Sequence, residues 1–389
     1  MLLAAPDCFS LRSSFLPRSF RFRNSRGLSL NSHRTWTSRP RASLITTPDS
    51  FQVGRLIGSY GFMNITSYSG FQPGLDVEYS SEDMGRLRVQ DVGEGNVKIR
   101  LYEGIITQGP LRGTPVIFKV YPGQRAAGIE ADMMAANELN AHAFLQSNAK
   151  DISQNLQMLL GGFETKTGEQ WLAFRNDGKY SAADYAKVSS EKLSKNNALG
   201  EQKSWNPFDQ ELTIKRKREF VIKLLRGAMS GLAYMHDHDR LHQSLGPSSV
   251  VLKFSNMENG PGTLANGLWR RASAAGAFTP MEKRAFGISD DIYEAGLLFA
   301  YLAFVPFCEA GIMDSLSLQR LLESTFRLDL KAMREYCLAD DSLLEAVRFL
   351  DLGDGAGWEL LQAMLDPDFR KRPIADAVLN HRFMTGAVL

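Results

Sequence analysis

The sequence predicts an α+β fold in which short strands precede most of the helices. Three segments, 92–104, 114–120 and 170–174, contain β-branched and aromatic residues bounded by Gly or polar residues, which is typical of strands. Segment 219–237 instead carries Phe, Leu and Met at helical spacing. Segment 295–308 is apolar for fourteen residues. A membrane span needs roughly 20, so this segment predicts a buried helix.

Charge is distributed unevenly along the 389 residues, although the net charge is only +2. The first 42 residues hold eight Arg, no Lys and one acid, Asp7. Residues 43–389 therefore carry 37 Lys plus Arg against 42 Asp plus Glu, a net charge of −5. A negative net charge over these residues argues against nucleic acid as a main partner.

Residues 1–42 are rich in Ser, Arg and Phe, poor in acids, and lack a long apolar core. This composition predicts a chloroplast transit peptide that ends near Arg41, with a disordered basic tail as the alternative. Cys8 would leave with that peptide. Cys308 and Cys337 remain without any C-x-x-C motif, so neither a zinc site nor a local redox pair is indicated.

Residues 43–86 mix Gly, Ser, Tyr and Phe and include the run G-S-Y-G at 58–61. The run resembles a phosphate-binding loop. However, Lys119, the best candidate for a lysine that binds the same phosphates, lies 58 residues beyond Gly61. The run and Lys119 are too far apart in the sequence to be assigned to one local motif. We therefore interpret 43–86 as a lead-in segment of unknown role, either a short β extension or irregular structure.

Segment 92–104 offers a second candidate loop, in which Gly93 and Gly95 stand two residues apart between candidate strands. Backbone N–H groups of such glycines can approach phosphates, because no Cβ intervenes. Lys98 stands where a third glycine would complete the pattern. A plain β-hairpin explains the glycines equally well, so the residues that follow decide between the two interpretations.

Two charged residues further along the chain could form a pair, one at the end of a predicted strand and one in a predicted helix. Lys119 ends the apolar strand predicted over 114–120, and Glu138 follows 19 residues later in a helix predicted over 133–146. The alternative is that both side chains are solvent-exposed, and Glu130 is a second candidate partner for the lysine.

Residues 242–252 read H-Q-S-L-G-P-S-S-V-V-L. The run resembles the catalytic loop of protein kinases, H-R-D-x-x-x-x-N followed by a short apolar strand. His242 is kept, in a structural role. Gln243 stands where the family has Arg, Ser244 where it has the catalytic Asp, and Ser249 where it has the magnesium-binding Asn.

Further kinase-like motifs follow in the family's order. Segment 263–268 aligns with the D-F-G motif and has Ala265 at the position of the magnesium-binding Asp; a rival frame, 285–287, lacks the Asp as well. Asp291 matches the Asp of the central helix that accepts hydrogen bonds from the catalytic loop. Arg372 matches an Arg that pairs with the Glu of A-P-E, a motif that this sequence lacks, so we expect Arg372 to bond elsewhere or to face water.

The resemblance covers residues 92–384 and implies a bilobal protein-kinase-like fold. A small β-rich N-lobe is expected over 87–175 and a larger α-helical C-lobe over 176–389. Within the C-lobe, 189–218 is a polar, Lys-rich insertion for which we expect a solvated loop.

The resemblance also implies a nucleotide site. ATP is the implied cofactor, held through Gly93, Gly95, Lys119 and Glu138. No metal site is expected, because Ser249 and Ala265 replace the ligands, so magnesium would be held weakly or not at all. The catalytic base is replaced by Ser244.

These losses predict a catalytically impaired pseudokinase with a regulatory or scaffolding role. One alternative is an atypical active Ser/Thr protein kinase that transfers the ATP γ-phosphate to chloroplast proteins, with Glu282 or Asp290 in place of the missing Asp. Another is a kinase-like enzyme with different chemistry, such as nucleotide transfer.

Segment 291–299 and the first half of 351–384 are particularly similar to the chloroplast thylakoid state-transition Ser/Thr kinases, and the second half of 351–384 resembles the C-terminal helices of kinases. That similarity implies partners among chloroplast proteins, such as thylakoid kinases or photosynthetic complexes. The expected location is the stroma or the thylakoid surface. Those kinases have a membrane span ahead of the kinase domain. We find no transmembrane segment here and expect at most peripheral membrane association.

Overall fold

The structure is a computed structural model, and it describes residues 44–62, 97–147, 154–178, 180–198, 207–243, 245–251, 256–257 and 265–386. The predictions for residues 1–42, Gly93, Gly95 and Ser244 lie outside the described residues.

The first half of the chain forms a five-stranded antiparallel sheet with the order β1-β2-β3-β5-β4. Its strands are β1 (Phe51–Phe62), β2 (Val97–Ile106), β3 (Pro115–Tyr121), β4 (Leu159–Glu164) and β5 (Gln170–Arg175). One helix, α1 (Gln124–Ser147), packs on this sheet. The predicted strands at 114–120 and 170–174 are confirmed, and the helix predicted over 133–146 begins earlier than expected.

Strand β3 separates two apolar clusters. Val116, Phe118 and Val120 are fully buried on one face, in a cluster with Phe51 of β1. Tyr121 is buried on the other face, in the cluster that α1 completes. Because side chains alternate along a strand, Lys119 shares the α1 face with Tyr121.

Residues 43–86 need a correction, because the sheet begins inside this segment. Strand β1 pairs with β2 from Phe51 opposite Ile106 to Phe62 opposite Val97. Strand β1 is the β extension considered for this segment, and the N-lobe boundary expected at residue 87 falls too late because the sheet already includes Phe51–Phe62. Antiparallel neighbours need only be adjacent in space, and the entropic cost of a longer connection grows slowly with its length.

The outer edge of β4 is covered by the chain ahead of β1. Ile45 N–H donates to Leu160 O at 3.0 Å, and Gly162 N–H donates to Ile45 O at 2.9 Å. A Cβ at Gly161 would collide with the Ile45 backbone, so glycine permits this close approach. Residues of the predicted lead-in therefore contact both edges of the sheet.

The second half is mostly helical. Its helices are α2 (Ala182–Ala198), α3 (Pro207–Asp237), α4 (Ala265–Ala274), α5 (Pro280–Phe304), α6 (Ser315–Gln319), α7 (Leu330–Leu338), α8 (Leu344–Leu350), α9 (Leu352–Met364) and α10 (Ala375–Leu379). Between α3 and α4 in the sequence, two short strands pair antiparallel, β6 (Val250–Val251) and β7 (Asn256–Met257). None of the described helices is long and apolar enough to cross a membrane.

Helix α5 is the buried centre of this half, as the apolar segment 295–308 predicts. It begins well before Asp291, however, with Thr279 and Glu282 forming a capping box and Pro280 at the first turn. The rival D-F-G frame at 285–287 therefore lies inside a helix, which rules that frame out.

The expected solvated loop over 189–218 is also wrong. Helix α2 extends to Ala198, and α3 begins at Pro207. Lys217 Nζ donates to Pro306 O at 2.8 Å, and Ser189 Oγ donates to the same oxygen at 3.1 Å. The polar composition of 189–218 favoured a loop prediction. Lys, Glu and Arg are nevertheless good helix formers, even where apolar residues do not recur at helical spacing.

Candidate functional site

An ion pair between β3 and α1 lies at the centre of the candidate site. Lys119 Nζ is 2.8 Å from Glu138 Oε1, and the two side chains are 3% and 0% exposed. The strand alternation that turns Lys119 toward α1 brings the two residues together, although they are 19 positions apart. Their role in holding ATP stays a prediction.

The surroundings of this pair were not anticipated from the sequence. Tyr121 donates its hydroxyl to the second carboxylate oxygen of Glu138. Lys119 Nζ lies 5.1 Å from the centre of the Phe174 ring, and the His142 ring packs against the same ring at 4.9 Å between ring centres. Both carboxylate oxygens and one side of the ammonium thus contact protein groups, which is what a buried ion pair needs to be stable.

His142 is neutral in this environment. Burial lowers the pKa of His142 from its usual 6.5 to about 4, and the nearby charge of Lys119 acts in the same direction. The carboxylate of Glu138 opposes this lowering without reversing it. The period of three among Leu139, His142 and Leu145 was the only sequence signal that pointed His142 inward.

Residues 242–252 are held by one carboxylate on α5. Asp291 accepts hydrogen bonds from His242 N–H at 2.8 Å and from Gln243 N–H at 2.7 Å. It also contacts His236 Nε2 at 2.9 Å, and its side chain is 1% exposed. This is the structural role that the kinase resemblance implied for Asp291.

The backbone of this loop is strained at Gln243, which has a φ of 65°. A residue with a side chain in the left-handed region costs about 1–3 kcal/mol. The hydrogen bond to Asp291 holds Gln243 there, and Leu245 N–H donates to Glu294 Oε2 at 2.8 Å one turn along the helix. The loop is therefore fixed from α5.

Ser249 uses its hydroxyl within the loop itself. Its Oγ accepts from Gly246 N–H at 3.0 Å and donates to Gly246 O at 2.9 Å. The side chain thus closes a turn at the position where the kinase family has a magnesium ligand. Across the part of the chain that the structure describes, no group of three His, Cys, Asp or Glu could hold a metal ion.

Gly93, Gly95 and Ser244 are outside the described ranges. The backbone of Ala265 begins helix α4, directly after residues 258–264, which are likewise not described. The placement of Ala265 at the D-F-G position stays a prediction.

The two acids considered as substitutes for the missing base have structural partners. Arg271 holds Asp290 with two hydrogen bonds, of 2.9 and 2.7 Å, and Asp290 is 1% exposed. Hydrogen bonds from the backbone N–H groups of Thr279 and Phe278 lower the pKa of Glu282. A carboxylate with a lowered pKa is a weaker base.

Arg372 bonds elsewhere, as expected from the missing A-P-E motif. Its Nε donates to Asp366 O at 2.8 Å, and a terminal nitrogen donates to Ser289 O at 3.1 Å. The guanidinium lies 4.6 Å from the centre of the Tyr293 ring on α5. The arginine thus stabilises the junction between α5 and the segment after α9.

The residues fit the two implied cofactors unequally. Lys119 keeps a fixed place at the end of β3 with an orienting carboxylate, which suits a phosphate group. In this conformation its ammonium is 3% exposed, so a phosphate would have to enter beside Glu138 and Phe174. Ser249 suits magnesium poorly, because its hydroxyl carries no charge and already bonds to the backbone of Gly246.

Comparison with known proteins identifies the fold. No protein-family model and no curated protein matches the chain. Solved structures do match, and one is the crystal structure of a Stt7 homolog from Micromonas algae soaked with ATP. It has a TM-score of 0.53 and 17% sequence identity, and the match covers 93% of this chain and 97% of that chain. The chain therefore has a kinase-like, bilobal α+β fold.

The pKa of His142 predicts a pH dependence of stability. The unfolded chain protonates His142 near pH 6.5, whereas the folded chain does so only near pH 4. The unfolded state therefore binds more protons between these values, and stability falls as the pH drops through this window. The loss attributable to His142 is about 3 kcal/mol at the acid end.

Urea unfolding measured from pH 7.5 to 4 tests this dependence in wild type and His142→Gln. We expect the acid slope to flatten in the variant. His238→Gln is the control, because His238 is only partly buried and lies outside this cluster. Equal slopes in wild type and His142→Gln would contradict the assignment.

Proposed function

We propose that this chain is a chloroplast kinase-like protein with impaired phosphoryl transfer and a regulatory or scaffolding role in photosynthetic or thylakoid processes. The observation that carries the proposal is that the polar groups described around residues 242–252 serve to hold the loop. Asp291 binds its backbone, Ser249 closes its turn, and Asp290 is paired with Arg271.

Phosphoryl transfer depends on positioning and on magnesium that neutralises charge between the β- and γ-phosphates. Loss of a general base alone typically lowers the rate by about 10²- to 10⁴-fold. Ser244 stands at the base position, and Ser249 and Ala265 stand at the ligand positions. Together these three replacements support an impaired enzyme, because the metal would be held by the nucleotide alone.

ATP binding is a separable part of the proposal. The buried Lys119–Glu138 pair supports it, since this pair presents a positioned ammonium at the end of β3. The Stt7 homolog of similar fold was soaked with ATP, which supports nucleotide binding by analogy of fold only. We propose that ATP binds without a requirement for magnesium.

The partners that we propose are chloroplast proteins, such as thylakoid kinases or photosynthetic complexes. The transit-peptide-like composition of residues 1–42 supports a chloroplast location, at the stroma or the thylakoid surface. The net charge of −5 over residues 43–389 supports the expectation that nucleic acid is not a partner. Any membrane association would be peripheral.

An active atypical Ser/Thr kinase is the competing function. It requires an acid to replace the missing base, and the two candidates are Glu282 and Asp290. The capping role of Glu282 and the ion pair of Asp290 count against it.

Transfer of labelled γ-phosphate tests the impaired-enzyme proposal. The protein is incubated with ATP and Mg²⁺, alone and with chloroplast extract, beside Lys119→Met. Lys166→Met is the matched control, because Lys166 is exposed at the β4–β5 turn. We expect no label above the Lys119→Met background. Label that appears with wild type and Lys166→Met but disappears with Lys119→Met would establish the active kinase instead.

Thermal unfolding with ATP tests the nucleotide part separately. At 100 times its dissociation constant, a bound ligand stabilises the folded state by about 2.7 kcal/mol. We expect the same stabilisation with Mg²⁺ and with EDTA, and its loss in Lys119→Met. Absence of any shift would remove ATP binding and leave a scaffold. A shift that requires Mg²⁺ would contradict the loss of metal ligands.

A further inference from the structure

A cavity of about 140 Å³ lies between the C-terminal end of α3 and the first half of α5. One wall is aliphatic, formed by Leu241, Leu268 and Ile288. The other lining residues are polar and include His236 and Arg240. A cavity of this size can hold a ring-sized molecule or several waters.

Three buried polar atoms of the residues that line this cavity lack a hydrogen-bond partner among the described residues. They are His236 Nδ1, Arg240 Nε and Gln243 Oε1. The side chain of His236 is only 8% exposed, and its other ring nitrogen is already engaged by Asp291. Buried polar atoms are rarely left unpaired in native proteins, so these three side chains have unused hydrogen-bonding capacity beside the cavity.

The charge around the cavity favours an anion over water alone. Three cationic side chains line it, those of Arg240, Lys283 and Arg284, and one carboxylate, that of Asp239. Asp239 is already bonded to Arg284. Within the described part of the chain, Arg240 forms no ion pair, and its contacts are Asp239 O at 3.4 Å and the Phe144 ring at 4.4 Å.

The backbone holds Arg240 in this position. Two residues after the end of helix α3, Asp239 lies in the left-handed region, at a φ of 58°. The next amide, Arg240 N–H, donates back to Met235 O at 2.9 Å, as in a helix-terminating turn. The turn fixes the backbone of Arg240 and the Phe144 ring supports its guanidinium, so part of the entropic cost of positioning it for a ligand is already met.

We infer that this cavity binds a phosphate monoester. The guanidinium of Arg240, with Lys283 and Arg284, would bind the phosphate oxygens through charge-assisted hydrogen bonds. The aliphatic wall would contact the organic part of the ester. The inference does not rest on ATP binding or on the loss of transfer, since it involves neither Lys119 nor Glu138.

Titration calorimetry of the full chain tests this inference with phenyl phosphate as the probe. We expect phenyl phosphate to bind, and Arg240→Gln to weaken it at least tenfold. Arg226→Gln is the matched control, because Arg226 is an exposed arginine on the same helix. It should bind as wild type does. Urea unfolding without ligand verifies that each variant is folded, and Arg284→Gln takes the place of Arg240→Gln if that variant is not.

Inorganic phosphate and phenol separate the contributions of charge and of the aliphatic wall. We expect inorganic phosphate to bind more weakly than phenyl phosphate, and phenol not to bind. Absence of phenyl phosphate binding to wild type would overturn the inference, as would equal affinity in the folded arginine variant. Phenol binding as tight as phenyl phosphate would overturn the anion assignment. Equal affinity for inorganic phosphate would show a free-phosphate site and overturn the assignment to a monoester.

Discussion

The carboxylate of Asp291 is the group on which the helical half depends most. It is 1% exposed, yet it joins α5 to the loop at His242 and Gln243 and to His236 at the end of α3. A buried carboxylate is stable only when its oxygens are bonded, and Gln243 keeps a left-handed backbone only when something holds it. The hydrogen bond from Gln243 N–H to Asp291 meets both needs, because it bonds the carboxylate and holds the Gln243 backbone. The same contact places His236 beside the cavity that Arg240 also lines.

A second buried charge has an analogous place in the sheet half. Glu138 joins α1 to β3 through Lys119 and Tyr121. The two carboxylates thus connect the elements that carry the kinase-like motifs. The hydroxyl of Ser249 is hydrogen-bonded within its own turn. Buried hydrogen bonds and ion pairs of this kind stabilise the fold whether or not the protein catalyses a reaction. The proposal of an impaired enzyme therefore requires no loss of structure, only the loss of groups that would hold metal and accept a proton.

Much of this arrangement was predictable from local pattern. Lys119 and Glu138 meet as their spacing suggests, and Asp291 holds the loop as the kinase resemblance implies. The pairing of β1 with β2 was not predictable, because residues 63–96 separate two strands whose register is set by packing in space. Tyr121 and the cavity beside Arg240 were missed for a similar reason. Both depend on side chains from distant elements, and no single segment carries their signal.

The unfolding free energy of Asp291→Ala tests the central claim most directly, because it asks whether residues 242–252 are held as architecture. Removing the carboxylate leaves two loop amides and a histidine without their buried acceptor. We expect a loss of about 3–5 kcal/mol, because each buried donor left without its acceptor costs about 1–3 kcal/mol. Asp237→Ala, which removes an exposed carboxylate at the end of α3, should change stability by less than about 0.5 kcal/mol. An Asp291→Ala value as small as that of Asp237→Ala would contradict the account.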